Sequence, residues 1–225
     1  MAPVKFTYFP LFAKGPACAL ALEFSGMEWE GANQGEWPTL KPKTPWRELP
    51  VLEVPDVGII GHELAILNYI AKQVPAMGGA DDKEYVVSQQ LMHEAEDIYA
   101  KLGKIQNTCM AKDKVPKEEV EAFWSSADQT VHNRGFGIHV YLTLLEEFYA
   151  KCGAGEGKFT TSGTTIGECK LWATLHSLKL IQDDVLSKYP GLVAFYQRFA
   201  AEPKTQDILK TGGKMPAPFS QYFVA

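Results

Sequence analysis

The sequence predicts an α/β domain over residues 1–77, followed by an all-helical domain over residues 83–225. In the first part, short apolar runs alternate with segments of helical periodicity, a pattern typical of a small mixed sheet covered by helices. A segment rich in Gly and Asp over residues 76–82 indicates a linker. Beyond this linker, apolar residues recur at helical spacing and we find no convincing strand.

Each element of the first domain has a local signal. The predicted strands are apolar and β-branched runs bounded by turn residues, and they cover residues 4–9, 27–30, 51–54 and 58–60. The last two runs flank Pro55 and Asp56, which predicts a hairpin. Helices are predicted over residues 17–24 and 63–74, and residues 33–42 are expected to form a short irregular helix or a loop.

The second domain is expected to consist of helices and loops. A long helix is predicted over residues 85–110, and Pro116 followed by acidic residues indicates another helix start. Thr165 and Glu168 have the spacing of a capping box, which predicts a helix beginning there. Further helices are predicted over residues 138–149 and 192–201, and an irregular tail over residues 211–225.

Composition excludes several classes of function. The net charge of −5 argues against nucleic acid or an anionic membrane as the main partner. No apolar run approaches the ~18 residues that a spanning helix needs, and we see no signal peptide. The cysteines and histidines are scattered without metal-ligand spacing, so no metal is expected. These features predict a cytoplasmic protein with reduced thiols.

Five segments together carry a family resemblance: residues 5–9 (KFTYF), 37–53 (WPTLKPKTPWRELPVLE), 62–70 (HELAILNYI), 165–168 (TIGE) and 189–203 (YPGLVAFYQRFAAEP). Their order and spacing resemble the cytosolic glutathione transferases of the tyrosine type, and look closest to the sigma class. The resemblance implies a thioredoxin-like, glutathione-binding N-terminal domain and an all-α domain that contributes a hydrophobic substrate pocket. It also implies glutathione as co-substrate, a hydrophobic electrophile as partner, and a homodimer.

The resemblance assigns the catalytic role to Tyr8, at the end of the first strand. A phenol hydroxyl directed at a thiol of pKa ~8.5 can stabilise the thiolate, which is the nucleophile. The resemblance to the sigma class implies an arginine at the position that Lys14 occupies. A cation near the sulfur would also favour the thiolate. The alternatives are an ordinary strand tyrosine and a solvated surface lysine.

The same resemblance implies the residues that hold glutathione. Trp37 and Lys41 would bind its glycine carboxylate, since an indole donor and a cation suit that group. Leu49 and Pro50 resemble the family's turn, in which a cis-proline lets the preceding backbone pair with the cysteinyl part. The alternatives are a Trp that covers the domain beside a surface Lys, and a trans-proline.

The γ-glutamyl end departs from the family pattern. Glu63 occupies the usual serine position beside His62, and Glu48 replaces a residue that is often Gln or Lys. Two carboxylates ~4 Å apart repel each other by roughly 1–4 kcal/mol, so glutathione affinity could fall tenfold or more. Alternatively, Glu63 turns outward and its backbone amide still serves, or it becomes the acidic partner of the γ-glutamyl amine.

The electrophile pocket is expected to be lined by Phe9, Ala13, Tyr99 and Gly103, with the C-terminal tail. Two functions compete with conjugation. One is a non-catalytic binding or structural protein with a degraded glutathione site, which Glu48, His62 and Glu63 would favour. The other is a glutathione-dependent isomerase.

Overall fold

The computed structural model describes residues 3–105, 107–113, 115–125 and 137–224. Its main sheet has the strand order β3-β1-β4-β5, with β1 parallel to β3 and antiparallel to β4, and β4 antiparallel to β5. The strands are β1 Val4–Tyr8, β3 Trp29–Asn33, β4 Val51–Val54 and β5 Gly58–Gly61; β2, outside this sheet, is Leu11–Phe12. The four predicted strands are therefore present, and β3 begins two residues later than predicted.

Three helices accompany this sheet: α1 Gly15–Ser25, α2 Trp37–Leu40 and α3 Glu63–Gln73. The buried residues of α1 run without a break from Gly15 to Leu22, because the helix packs against α3 on one side and against the helical domain on the other. The helix ends at Gly26, which adopts the left-handed conformation with φ of 71°. The short α2, followed by a turn of 3-10 helix, matches the irregular segment that the sequence predicts.

The second domain contains helices α4 Asp82–Ile105, α5 Lys117–Trp124, α6 Ile138–Cys152, α7 Ile166–Ile181, α8 Pro190–Ala201 and α9 Pro203–Thr211. The central helix α7 is buried along most of its length. The predicted capping box begins it, since the Thr165 side chain accepts from the Glu168 backbone and the Glu168 side chain accepts from the Thr165 backbone.

Two features of the second domain correct the predictions. Helix α4 ends at Ile105 rather than residue 110, and two short strands occur in the tail, which is otherwise irregular over residues 212–219 as predicted. Strand β7 Ser220–Gln221 pairs with β2, and β8 Phe223–Val224 pairs with β6 Asn107–Thr108. These strands are two residues long, so they carry no periodicity, and only pairing with distant segments defines them.

The two domains share an interface in which α7 packs on α4, α1 and α3. Gly167 permits the close approach of α7 to α4, because a Cβ atom there would lie 2.0 Å from the Ser88 carbonyl oxygen. This packing brings the first turns of α1 and α3 next to side chains from α4 and α7. None of the helices in the described ranges combines the length and apolar character needed to cross a membrane.

Candidate active site

Tyr8 ends β1 with its side chain buried at the start of α1. Its hydroxyl oxygen accepts a hydrogen bond of 2.9 Å from the Lys14 backbone N–H. The ring lies directly against Gly15, where a Cβ atom would come within 2.0 Å of Tyr8 Cδ1. Glycine at this position therefore lets the ring sit on the first turn of α1.

The Tyr8 hydroxyl is held in its protonated form. Burial raises the pKa of Tyr8 above its usual value, and the hydrogen bond from the Lys14 backbone only partly offsets this. The negative charge of Glu63 raises it further. A phenol that accepts a bond and keeps its own proton is suited to donate that proton in a hydrogen bond to a neighbouring anion.

Four charged side chains meet where α1, α3, α4 and α7 converge, and we call them the charge cluster: Lys14, Glu63, Glu96 and Lys170. Lys170 Nζ lies 2.7 Å from Glu63 Oε2 and 2.8 Å from Glu96 Oε2. Lys14 Nζ lies 2.5 Å from Glu96 Oε1 and 3.9 Å from Glu63 Oε2. With two cations and two anions, the cluster has no net formal charge.

The Lys14 ammonium is therefore paired with Glu96, while the Lys14 backbone N–H donates to the Tyr8 hydroxyl oxygen. The Tyr99 ring lies beneath both cations, 4.9 Å from Lys14 Nζ and 4.7 Å from Lys170 Nζ to the ring centroid. Burial raises the pKa of Tyr99, so its hydroxyl also stays protonated.

The pKa values within the cluster follow from burial and pairing. Burial raises the pKa of Glu63, although the cations of Lys170 and Lys14 oppose this. Burial alone would lower the pKa of Lys170, but the carboxylates of Glu63 and Glu96 outweigh it and raise that pKa. Burial disfavours ionised Glu96 too, yet Lys170 and Lys14 bring its pKa below the usual value. Lys170 is thus held charged between two carboxylates.

Three of these side chains line a cavity of about 230 Å³, which we call the polar cavity. Its lining residues are Lys14, Trp46, Glu48, Leu49, Pro50, His62, Glu63, Leu64 and Glu96. The Leu49–Pro50 peptide bond is cis, as the resemblance implies. Helix α3 begins at Glu63 after His62, whose φ is 65°. The first N–H groups of a helix have no intrahelical acceptor, so the first turn of α3 offers donors here.

A larger cavity of about 780 Å³, which we call the aromatic cavity, adjoins the polar one. The two share Lys14 and Leu49. The other lining residues include Tyr8, Phe9, Pro10, Ala13, Gln34, Trp37, Tyr99, Met110 and Tyr222. Its wall is mainly apolar and aromatic, so it suits a hydrophobic ligand beside the Tyr8 hydroxyl.

The structure brings most of the predicted site residues to these two cavities. Phe9, Ala13 and Tyr99 line the aromatic cavity, whereas Gly103 is exposed on α4 and lies outside it. Trp37 lines the aromatic cavity, with its ring 5.3 Å from that of Phe9. Lys41 is exposed and lines neither cavity.

Sequence reasoning missed Trp46, Glu96 and Lys170. Trp46 is 62% exposed, and its ring lies 5.5 Å from that of His62. Glu96 and Lys170 belong to the helical domain, far along the chain from Glu63. A signal for Lys170 existed: it lies next to Leu171 and Trp172 in a helix so apolar that a lysine there needs a buried partner.

Comparison with known proteins agrees with this architecture. The family model described as the glutathione S-transferase C-terminal domain matches residues 117–211. Glutathione S-transferase 1 of Ascaris suum is 28% identical over 197 residues, which are 86% of this chain and 83% of that protein. Hematopoietic prostaglandin D synthase of Gallus gallus is 29% identical over 217 residues, 90% of this chain and 93% of that protein.

The solved structure of prostaglandin synthase D of Nilaparvata lugens has a TM-score of 0.70 at 20% identity, covering 91% of this chain and 95% of that one. The chain therefore has the glutathione S-transferase fold, and its residues 117–211 match the model of the glutathione S-transferase C-terminal domain. It is similar to a glutathione S-transferase of Ascaris suum and to prostaglandin D synthases, which confirms the predicted resemblance.

Proposed function

We propose that this protein is a glutathione transferase that conjugates glutathione to hydrophobic electrophiles, with Tyr8 stabilising the thiolate. The proposal assigns glutathione binding to the domain of residues 1–77 and the electrophile pocket mainly to residues 83–225. The observation that carries it is the placement of the Tyr8 hydroxyl, buried and protonated, in a cavity that adjoins a second, polar cavity. Relatives named glutathione S-transferases support the reaction class.

The polar cavity suits the γ-glutamyl and cysteinyl parts of glutathione. The first turn of α3 offers N–H donors to a carboxylate, and Leu49, which precedes Pro50, lines both cavities. A sulfur placed at this boundary would be close to Tyr8. Trp37 and Lys41 remain the groups proposed for the glycine carboxylate, with Trp37 at the edge of the aromatic cavity.

The reaction would proceed by nucleophilic attack. The glutathione thiol loses its proton to solvent, and the Tyr8 O–H donates a hydrogen bond to the resulting thiolate while keeping its own proton. The sulfur then forms a bond to the electrophilic carbon, and the leaving group departs with the bonding electron pair or, in an addition, the electrons move onto the acceptor. Tyr8 acts by electrostatic stabilisation rather than as a base.

The charge cluster argues against the competing proposal, a non-catalytic protein with a degraded glutathione site. The carboxylate of Glu63 lies 2.7 Å from the Lys170 ammonium, so its charge is largely cancelled before any ligand arrives. Repulsion of the γ-glutamyl carboxylate is correspondingly smaller than two isolated carboxylates would give. This pairing favours an active transferase over a non-catalytic protein. A glutathione-dependent isomerisation, which the prostaglandin D synthase relatives suggest, would use the same thiolate.

We also propose a homodimer in the cytoplasm. Exposed apolar side chains occur on the sheet domain at Trp46, Val57 and Ile59, and on the long helices at Tyr85, Val86 and Leu144. Packing of one subunit's sheet domain on the other's helices would remove these side chains from water. Sedimentation equilibrium tests this part of the proposal, with a monomer at micromolar concentration as the contrary result.

Two assays test the activity together. Retention on immobilised glutathione and elution by free glutathione would report binding, and conjugation of 1-chloro-2,4-dinitrobenzene would report catalysis. We expect both. A protein that is folded but neither retained nor active would contradict the proposal, whereas retention without activity on any of several aryl halides and enones would favour a binding protein.

A further inference from the structure

Lys170 is a charged side chain that is almost completely buried. It lies on α7 with 1% of its side chain exposed, and its ammonium contacts Glu63 from the sheet domain and Glu96 from α4. A lysine buried this deeply is retained only with close anionic partners. Its partners are themselves at the proposed glutathione site, which connects Lys170 to ligand binding.

Lys170 does not line the polar cavity, whereas Glu63, Glu96 and Lys14 do. Its ammonium contacts two residues that do line it, Glu63 and Glu96. Glu96 is also paired with Lys14 at 2.5 Å, whereas the next cation from Glu63 is Lys14 at 3.9 Å, so Glu63 is the carboxylate that depends most on Lys170. A ligand carboxylate at the first turn of α3 would lie next to Glu63, the first residue of that helix, and would experience its charge directly.

We propose that Lys170 is a positioning residue for the thiol co-substrate, because its ion pair holds and neutralises Glu63 so that an anionic ligand group can bind at the start of α3. This inference rests on the proposed function. It explains how a chain with Glu63 at this position keeps a usable anion site: the counter-charge comes from the other domain.

The charge of Glu63 also reaches the catalytic groups. Burial raises the pKa of the Tyr8 hydroxyl and of the Cys18 thiol, and the charge of Glu63 adds to both, while Lys170 and Lys14 oppose it at Cys18. Several titratable groups surround Glu63, and His62 precedes it in the chain. They are Tyr8 from β1, Lys14 just before α1, Cys18 from α1, Glu96 and Tyr99 from α4, and Lys170 from α7. Of these, Lys170 has the shortest contact with the Glu63 carboxylate.

The test replaces Lys170 and measures the Kd of S-methylglutathione by calorimetry. This probe lacks a free thiol, so thiol ionisation does not contribute. In Lys170→Met we expect Kd at pH 7.5 to rise by about tenfold or more, because Glu63 then repels the probe's γ-glutamyl carboxylate. The difference in Kd from wild type should narrow towards pH 5.5, since a buried Glu63 whose nearest cation is Lys14, at 3.9 Å, takes up a proton more readily than one paired with Lys170.

A second variant shows whether the effect passes through Glu63. Lys170→Met/Glu63→Gln removes one charge of each sign and leaves Glu96 paired with Lys14, so it is expected to fold and to bind S-methylglutathione within about twofold of wild type. Lys179→Met is the matched control, because Lys179 lies on the same helix and pairs with Asp183 at the surface. It should leave Kd unchanged.

The outcomes separate the two proposals. Wild-type protein that does not bind S-methylglutathione would overturn the proposed function and this inference with it. Wild-type binding together with an unchanged Kd in folded Lys170→Met would overturn the inference alone. The same holds if the double variant binds as weakly as Lys170→Met. If Lys170→Met does not fold, the double variant decides: binding like wild type supports the inference, and weak binding overturns it.

Discussion

The backbone N–H of Lys14 donates a 2.9 Å hydrogen bond to the hydroxyl oxygen of Tyr8. This bond fixes the direction in which the Tyr8 proton can point, because the oxygen already accepts on one side. It also joins the end of β1 to the start of α1 independently of the Lys14 side chain, which is paired with Glu96. The hydroxyl is therefore positioned by main-chain geometry.

Replacing Tyr8 with Phe should reduce conjugation much more than stability. We expect kcat/KM for an aryl halide to fall by about 10²-fold, since loss of one donor to a developing or stable anion has this order of effect. The free energy of unfolding should fall by only about 1 kcal/mol, for the Lys14 N–H left without its acceptor. Steady-state kinetics and urea unfolding measure the two effects.

Tyr69→Phe is the control for that variant, because Tyr69 lies on α3 and lines neither cavity. It should retain wild-type kcat/KM. Equal activity of Tyr8→Phe and wild type would remove Tyr8 from the mechanism.

Because the Tyr8 ring lies against Gly15, we expect kcat/KM to be sensitive to any side chain added at residue 15. In Gly15→Ala the new methyl group would overlap the ring, with a separation of 2.0 Å from Cδ1. The ring must move, and a displacement of the order of 1 Å at a catalytic group can cost about 10²-fold in rate. We expect at least a tenfold loss of kcat/KM despite the better helix propensity of Ala.

Gly103→Ala is the matched substitution, since a Cβ atom at Gly103 meets nothing within 4 Å and the residue lines neither cavity. Kinetics of the two variants side by side test the packing directly. Similar activities in both would mean that the Tyr8 ring does not depend on the absence of a side chain at residue 15.

Glu63→Ser should destabilise the protein. It removes one partner of a buried ion pair and leaves Lys170 with Glu96 as its nearest counter-charge. We expect the free energy of unfolding to fall by about 3 kcal/mol, the lower end for breaking such pairs. Glu53→Ser is the comparison, because the Glu53–Lys5 pair is exposed and should contribute less than about 1 kcal/mol. Chemical unfolding measures both variants. Equal losses of unfolding free energy in Glu63→Ser and Glu53→Ser would contradict a buried ion pair at Glu63.

His176 predicts an acid-sensitive contribution to stability. Burial lowers the pKa of His176 to about 4, while its ring stacks on Trp172 and its Nδ1 atom lies 2.6 Å from the Tyr196 hydroxyl. Below pH ~6.5 the imidazole of His176 binds a proton in the unfolded chain, whereas it stays neutral in the folded protein. The free energy of unfolding should therefore fall as pH drops from ~6.5 to ~4, by at most roughly 1.4 kcal/mol per pH unit from this group.

Thermal or urea unfolding across that range measures the effect. In His176→Gln the slope with pH should be shallower than in wild type, and in His93→Gln, which changes an exposed histidine, it should be unchanged. Parallel pH profiles for wild type and His176→Gln would show that His176 does not contribute.

Local sequence signals predicted much of the fold. The hairpin of β4 and β5, helix α3 and the capping box at Thr165 each depend on neighbouring residues, and each is present. The strands β6 and β8 were missed because two residues carry no pattern, and their pairing joins positions more than a hundred residues apart. Long-range pairing of this kind is invisible to periodicity.

The candidate site was predicted only in part. The family resemblance predicted the cis bond before Pro50 and the position of Tyr8 at the end of β1, whereas the partner of Glu63 was not predicted. From the sequence, Glu63 could repel the ligand carboxylate, turn outward, or become the acidic partner of the γ-glutamyl amine. The structure turns it inward to Lys170, a residue of the other domain. The apolar residues around Lys170 indicate that this lysine needs a buried partner, but which residue pairs with it depends on how the two domains pack, and no local signal identifies Glu63.

The most direct test of the central proposal is the ionisation of glutathione bound to the protein. The absorbance of the thiolate is followed against pH for the wild-type complex, for the Tyr8→Phe complex and for free glutathione. The proposal predicts that the pKa of the bound thiol lies at least one unit below that of the free thiol, ~8.5, and that Tyr8→Phe returns it towards that value. A bound thiol that titrates like free glutathione in wild-type protein would contradict it.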